Sequence, residues 1–223
     1  MRVALDFWAV LDQWPILFTG VMWTLLLTAV SAVLGVGAGV LLGWARAEGP
    51  IWLRSLVGVY VEFIRNTPFI VQLFFVFFGL PAMGVKLSPE MASVIAMVVN
   101  LGAYSTEIAR AGIVATPKGQ TEAAMSLGLS RLHIFFYVVL PPALRKVWPA
   151  LVSQIIIVML GSAVCGQIST PELSFAANLI QSRNFRAFES YIVATILYLM
   201  LAIGLRALLN WVGARFLFGS RHG

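Results

Sequence analysis

Residues Glu122 to Pro141 read EAAMSLGLSRLHIFFYVVLP. This is the longest block of polarity in a chain otherwise built of apolar segments. A carboxylate and two alanines lead into Met-Ser-Leu, Gly128 follows, and Val138 and Leu140-Pro141 close the block. Two short helices joined at a glycine, set between two membrane spans, make a rigid knob that a soluble protein can grip. Force applied to the knob would pass to the spans on either side.

The rest of the composition calls for a bilayer. The chain is 60% hydrophobic and 11% charged, with a mean hydropathy of +0.92. Soluble domains are about 45–50% apolar and about 25% charged, so a soluble fold would lack polar surface. The net charge of +6 is spread over span ends. No basic, aromatic-interleaved tract stands apart from them, so no nucleic-acid partner is expected. The single Cys165 excludes an intramolecular disulfide and a cysteine-based metal cluster, and His133 and His222 alone suggest no metal site.

Taken in order, residues 1–19 mix Asp6 and Asp12 with Phe7, Trp8, Trp14 and Pro15. They read as an extracytoplasmic interfacial segment rather than a cleaved signal peptide. Apolar runs long enough for a hydrocarbon core of about 30 Å predict spans at 20–44, 53–80, 92–111, 151–168 and 191–211. Gly35, Gly37, Gly39 and Gly43 in the first would let a neighbouring helix approach closely. In the second, Pro68 should bend or break the helix. Glu62 and Arg65, three apart, can pair as a gate or as a structural ion pair. On the third, Asn100, Tyr104 and Glu107 share one face, and Glu107 with Arg110 is a second gate candidate. A path for a small zwitterion needs donors and acceptors at depth. The candidates are Thr67, Gln72, Asn100, Tyr104, Met159 and Ser162, with helix–helix hydrogen bonding as the competing role for each.

Between the third and fourth spans, residues 116–146 form the polar loop that holds the knob. Thr116 suits a helix N-cap and Pro117 the first helical position. One short helix is expected over Gln120–Leu127, with Gly128 ending it. Ser130 would cap a second that finishes near Pro141. Beyond Thr170-Pro171, residues such as Glu172, Asn178, Gln181, Arg183, Arg186 and Glu189 read as a polar loop able to dock another protein.

Charge sets the orientation. Arg46, Arg54, Arg110, Lys118, Arg131, Arg145, Lys146, Arg206, Arg215 and Arg221 fall on one side of the five spans. Arg2, Lys86, Arg183 and Arg186 fall on the other. The richer side is expected in the cytoplasm, which puts the N-terminus outside and the knob and C-terminal tail (219–223) inside.

At Glu122-Ala123-Ala124, Gly128, Val138 and Leu140-Pro141 the chain resembles the EAA loop of bacterial ABC importer permeases, E-A-A-x3-G-x9-I-x-L-P. Its one departure is Val138 for isoleucine. VEFIRNTPFIVQLFFVFFGLP (61–81) and AYSTEIARAGI (103–113) are similar to the polar amino acid branch of those permeases, the histidine-, glutamine- and arginine-type members. The likeness covers residues 20–218. It implies an all-α integral membrane protein with the type I ABC importer permease fold, five transmembrane helices and a cytoplasmic coupling helix pair. It also implies a second permease subunit, copy or homologue, a cytoplasmic ABC ATPase dimer that carries the ATP and Mg, and an extracytoplasmic solute-binding protein. Coupling to the ATPase would run through Glu122, Ala123, Ala124, Gly128, Arg131, Leu140 and Pro141. ATP-driven closure would then open the cavity alternately to each side of the inner membrane. The chain has no G-x-x-x-x-G-K-[ST] phosphate cradle, so it is expected to bind no cofactor and to catalyse nothing itself. Many relatives carry a Lys-Asp pair where this chain has Met159-Leu160-Gly161-Ser162, so the resemblance does not name the amino acid. An ATP-independent secondary transporter or channel is the competing reading; it explains the wet polar faces but not the knob. An intramembrane enzyme lacks a nucleophile–base set, because Cys165 has no histidine at comparable depth.

Overall fold

Among residues 5–217, which the computed structural model describes, every regular element is a helix. Arg2, Arg221 and the tail expected at 219–223 lie outside the described residues. In chain order the helices are α1 (Trp8–Leu11), α2 (Trp14–Glu48), α3 (Ile51–Arg65), α4 (Phe69–Ala82), α5 (Pro89–Val114), α6 (Lys118–Ser126), α7 (Arg131–Ile168), α8 (Leu173–Asn184) and α9 (Ala187–Leu217). Four of them, α2, α5, α7 and α9, are long and apolar enough to cross a membrane, and α3 with α4 makes a fifth if that broken pair is one span.

The break is where proline chemistry puts it. α3 ends at Arg65, and Asn66 turns out of helical geometry with its side chain donating back to the Glu62 carbonyl at 2.8 Å. Pro68 is extended (ψ 138°) and stands as the N-cap of α4. A proline ring clashes with the carbonyl one turn back and disfavours helix at the residue before it, so a straight helix through Thr67-Pro68 is not available.

Elsewhere proline is accommodated. Residues Phe75–Gly79 and Ile134–Val139 are π-helical, and each widened turn runs just ahead of proline: Pro81 in one case, Pro141 and Pro142 in the other. A π turn shifts the carbonyls that a proline ring would strike and absorbs the missing N–H. The helix therefore continues through Pro141. The second short helix expected to finish there is instead the first part of α7, which runs without interruption into the membrane. For the same reason α7 starts at Arg131, well before the span start expected at 151.

Two further readings need correction. The polar stretch after Pro171 is not a loop but helix α8, whose Leu173, Ala176, Ala177 and Ile180 are buried at i, i+3, i+4 and i+7. α2 begins at Trp14, inside the segment expected to lie at the interface.

The chain divides into two compact units. One is built from the chain up to Ser31, from Thr67–Val98 and from Ile156–Leu205. Its core joins Val10 and Leu17 to Leu173, Ala177 and Ile180 of α8 and to Val193 and Ala194 of α9. Glu172, fully buried, caps α8 by accepting from the N–H groups of Ser174 (2.9 Å) and Phe175 (2.7 Å), and Tyr198 donates its hydroxyl to the same carboxylate at 2.5 Å. α4 packs on the 3-10 turn Ser162–Ile168 that ends α7.

The other unit takes Ala32–Asn66, Val99–Ile155 and the chain from Arg206. Here α2 and α5 touch backbone to backbone. A Cβ on Gly43 would sit 2.9 Å from the Thr106 carbonyl oxygen, and one on Gly39 would overlap Ser105. Gly37, expected to share that role, faces open space. At 100° per residue, 39 and 43 share a helix face and 37 points away from it.

Candidate coupling and translocation site

The knob is a helix hairpin in the second unit, and its spacing has a backbone explanation. α6 ends in a Schellman motif: Gly128 N–H donates to the Met125 carbonyl at 2.9 Å, and Leu129 N–H to the Ala124 carbonyl at 3.3 Å. That closure needs a left-handed residue at Gly128, which has φ +75°. The interval from Ala124 to Gly128 is thus the distance from the accepting carbonyl to the left-handed stop. Ser130 then caps α7 through its hydroxyl, which accepts from His133 N–H at 3.4 Å. At the other end Pro117, extended at ψ 129°, is the N-cap of α6. Thr116 does not take that place. Its hydroxyl donates to the Gly112 carbonyl at 3.3 Å and closes the end of α5 instead.

Ala124 is the one buried residue of α6. It packs with Ile113, Ile134, Phe135, Val139 and Ala143, with Trp44, Val138 and Leu140 against the same cluster. A methyl group at this contact lets α6 lie close on the start of α7. Glu122, Ala123 and Arg131 are exposed, as are Leu127 (80%), Leu132 (58%) and Tyr137 (76%). Large apolar side chains bared on a hairpin beside charged ones are the marks of a protein-binding surface.

The gate candidates form one network, differently wired from the sequence expectation. No ion pair joins Glu62 to Arg65. Arg65 lies over the Tyr104 ring, 5.4 Å from its centroid, a cation–π contact. Glu62 accepts from Asn66 at 3.1 Å and lies 4.0 Å from Arg46. Glu107 and Arg110 do pair, at 3.1 and 3.2 Å. Arg46 of α2 donates to the same Glu107 carboxylate. The sequence alone marks Arg46 only as one of the basic residues on the richer side of the spans. Its membership was hidden because the partner is 61 residues away.

The path candidates fall into separate groups. Gln72 donates to the carbonyl and hydroxyl of Thr67 at 3.0 and 2.8 Å, spanning the turn that Pro68 breaks. Met159 and Ser162 are fully buried, and the Ser162 hydroxyl donates to the Met159 carbonyl at 2.6 Å. Asn100 and Tyr104 belong to the other unit, where Tyr104 supports Arg65. Among the described residues, no cluster of His, Cys, Asp and Glu could hold a metal ion.

Comparison with known proteins gives the geometry relatives. Residues 35–217 match the family described as binding-protein-dependent transport system inner membrane component. The chain is similar to the L-cystine transport system permease protein TcyB of Bacillus subtilis (strain 168), 38% identical over 194 residues, 86% of this chain and 83% of the relative. It is likewise similar to the glutamine transport system permease protein GlnP of Escherichia coli (strain K12), 35% identical over 208 residues, 92% of this chain and 94% of the relative. Among solved structures, an amino acid ABC transporter crystallised with histidines matches with a TM-score of 0.84 and 32% identity, covering 96% of this chain and 100% of that one. An inward-facing MetNI methionine ABC transporter, 24% identical, shares the fold with a TM-score of 0.68 over 91% of this chain and 94% of its own.

Proposed function

The chain belongs to the family of binding-protein-dependent transport system inner membrane components, and from that premise we propose how its parts share the work of import. It is a membrane-spanning permease subunit of an ABC amino acid importer, with the type I importer fold. Its solute is a polar amino acid or a close analogue, handed over by an extracytoplasmic binding protein. A second permease, copy or homologue, completes the pathway. ATP and Mg are bound and ATP is hydrolysed in a pair of cytoplasmic nucleotide-binding subunits, while this chain binds no cofactor and acts by moving. The N-terminus lies outside the inner membrane and the C-terminus in the cytoplasm.

The observation that carries this reading is the hairpin. α6 ends in the Schellman closure and packs on the start of α7 through Ala124, and α7 is one helix from Arg131 to Ile168. A push on Glu122, Ala123 or Arg131 therefore reaches the membrane without crossing a flexible joint. Ala124 and the ring of Phe135 pass the same push to α2 through Trp44 and to α5 through Ile113. Leu140 packs on this cluster, and Pro141 lies where the widened turn becomes the span. The network of Arg46, Glu62, Glu107 and Arg110, with Arg65 on Tyr104, serves as the gate that this motion rearranges. Thr67, Gln72, Asn100, Met159 and Ser162 offer the polar contacts along the path.

The test is uptake of labelled amino acid into proteoliposomes holding the permease, its nucleotide-binding subunits and its binding protein. Accumulation that requires ATP inside and binding protein outside is the expected result. Uptake without ATP would assign the chain to the secondary transporters.

A further inference from the structure

α9 carries a charge inside its apolar length. Arg206 falls within the span predicted at 191–211, on a helix whose apolar stretch is only 11% buried. It is exposed, and its guanidinium makes no hydrogen bond or ion pair among the described residues. A charge in hydrocarbon is costly, so such a side chain finds a partner or stretches to the nearer interface.

The way to that interface runs past a fixed contact with α7. The Trp148 indole N–H donates to the Leu209 carbonyl at 3.2 Å. A Cβ on Gly213 would overlap the same ring, so glycine lets the indole lie on the α9 backbone. Arg206 precedes Leu209 by three residues and Gly213 by seven, which puts all three on one face of α9. The step from Arg206 to Leu209 is about 4.5 Å along the axis, within reach of an arginine stem. Arg145, three residues before Trp148, lies toward the same side of α7 as the indole. It too is exposed and unpaired among the described residues.

Nothing acidic offsets the two arginines. Residues 143–152 and 206–217 hold no Asp or Glu, while Lys146 and Arg215 add two more cations. Indole rings favour headgroup depth, and Trp211, 61% exposed, stands beside Trp148 in this respect. Arginine meets phosphate oxygens through paired N–H donors. A basic surplus at that depth favours a headgroup of net negative charge and disfavours one that carries an ammonium.

We infer that the α7–α9 seam at Trp148 and Gly213 binds an anionic phospholipid, whose phosphate is held by Arg206 and Arg145. The site needs only that α9 crosses the membrane, so it goes beyond the import reading without depending on it. A lipid seated there ties the end of α9 to α7 and neutralises a charge that the chain leaves open.

The experiment is lipid retention by the purified permease, stripped in neutral detergent and read by native mass spectrometry. Phosphatidylglycerol and phosphatidylcholine with the same acyl chains are the probes. Wild type is expected to retain phosphatidylglycerol in preference. Arg206→Gln and Arg145→Gln, on different helices, should each weaken that retention about fivefold, and Arg206→Lys should keep most of it. Arg54→Gln, an exposed arginine on α3, removes the same charge and should retain lipid as wild type does. Equal retention by wild type and both seam variants overturns the site, as does an equal loss in Arg54→Gln. Phosphatidylglycerol should also raise the melting midpoint of wild type, and an equal rise with inorganic phosphate would overturn the lipid assignment. Loss of permease pairing in Arg206→Gln, with lipid still retained, would give the arginine to the second subunit and overturn it as well.

Discussion

The indole of Trp44 and the ring of Phe135 lie stacked, their centroids 4.3 Å apart and their planes within 14°. One closes the membrane-spanning length of α2 and the other sits in the π turn at the start of α7, 91 positions later in the chain. The contact joins the α6–α7 hairpin to a span that does not follow it in sequence. Both rings belong to the same apolar cluster as Ala124, which joins α2, α6 and α7.

Removing that stack should loosen the hairpin. Phe135 is 2% exposed, and Phe135→Ala is expected to cost about 3–5 kcal/mol by cavity formation. Phe135→Leu keeps most of the volume and should lose mainly the ring contact, about 1 kcal/mol. Thermal unfolding of the purified permease in detergent measures both. Equal midpoints for wild type and alanine variant would remove the stack from the load path.

At Gly128 the constraint is the backbone alone. Its φ is +75°, yet a Cβ there would meet nothing within 4 Å. Gly128→Ala should cost about 1–2 kcal/mol from the left-handed conformation, and Gly128→Asn less, because asparagine tolerates that region. Gly128→Asp is expected to stay in the membrane but to separate ATP hydrolysis from uptake, since a charge then stands at the proposed docking surface. The ratio of solute moved to ATP hydrolysed reads this out, and an unchanged ratio in the aspartate variant would count against a coupling role.

Glu107 carries more than Glu62. Its side chain is 20% exposed and serves both Arg46 and Arg110. Glu107→Gln leaves two guanidinium groups without their shared carboxylate, expected to cost about 1–3 kcal/mol. The Glu62 side chain is 65% exposed and 4.0 Å from Arg46, so Glu62→Gln should change stability by less than about 1 kcal/mol. A double-mutant cycle on Arg46 and Glu107, read by thermal unfolding, checks whether the two are energetically coupled.

Glu172 should make the permease more stable in mild acid. Burial pushes its carboxyl above the ordinary value of 4.5, against hydrogen bonds from Tyr198, Ser174 and Phe175 that favour the charged form. The unfolded chain then releases this proton at a lower pH than the folded one. Its contribution is fully present below 4.5 and is lost as pH rises through the higher folded value. Glu172→Gln should flatten that slope in a plot of melting midpoint against pH. An unaltered slope would mean another group sets it.

Much of the site could be read in one dimension because its determinants are local. The Ala124-to-Gly128 interval is a helix C-terminus written in backbone hydrogen bonds, Pro68 is a break by steric necessity, and Glu107–Arg110 are neighbours one turn apart. The same locality misled at Pro141, where a stop was expected. A widened turn two to seven residues upstream of Pro141 accommodates the prolines, and nothing in the letters themselves announces it. Helix α8 had a signal in the spacing of Leu173, Ala176, Ala177 and Ile180, but the polar residues interleaved with them obscured it.

The sequence by itself determined the membrane environment, the helical class and the place of the hairpin, since hydropathy, periodicity and left-handed glycine stops are properties of a few adjacent residues. Only the tertiary structure decided that Arg46 completes the Glu107 pair and that Arg65 rests on Tyr104 rather than on Glu62. Each of these depends on which helix faces meet. That is settled by packing between segments dozens of residues apart, where small residues such as Gly39, Gly43 and Ala124 set how closely two helices can approach.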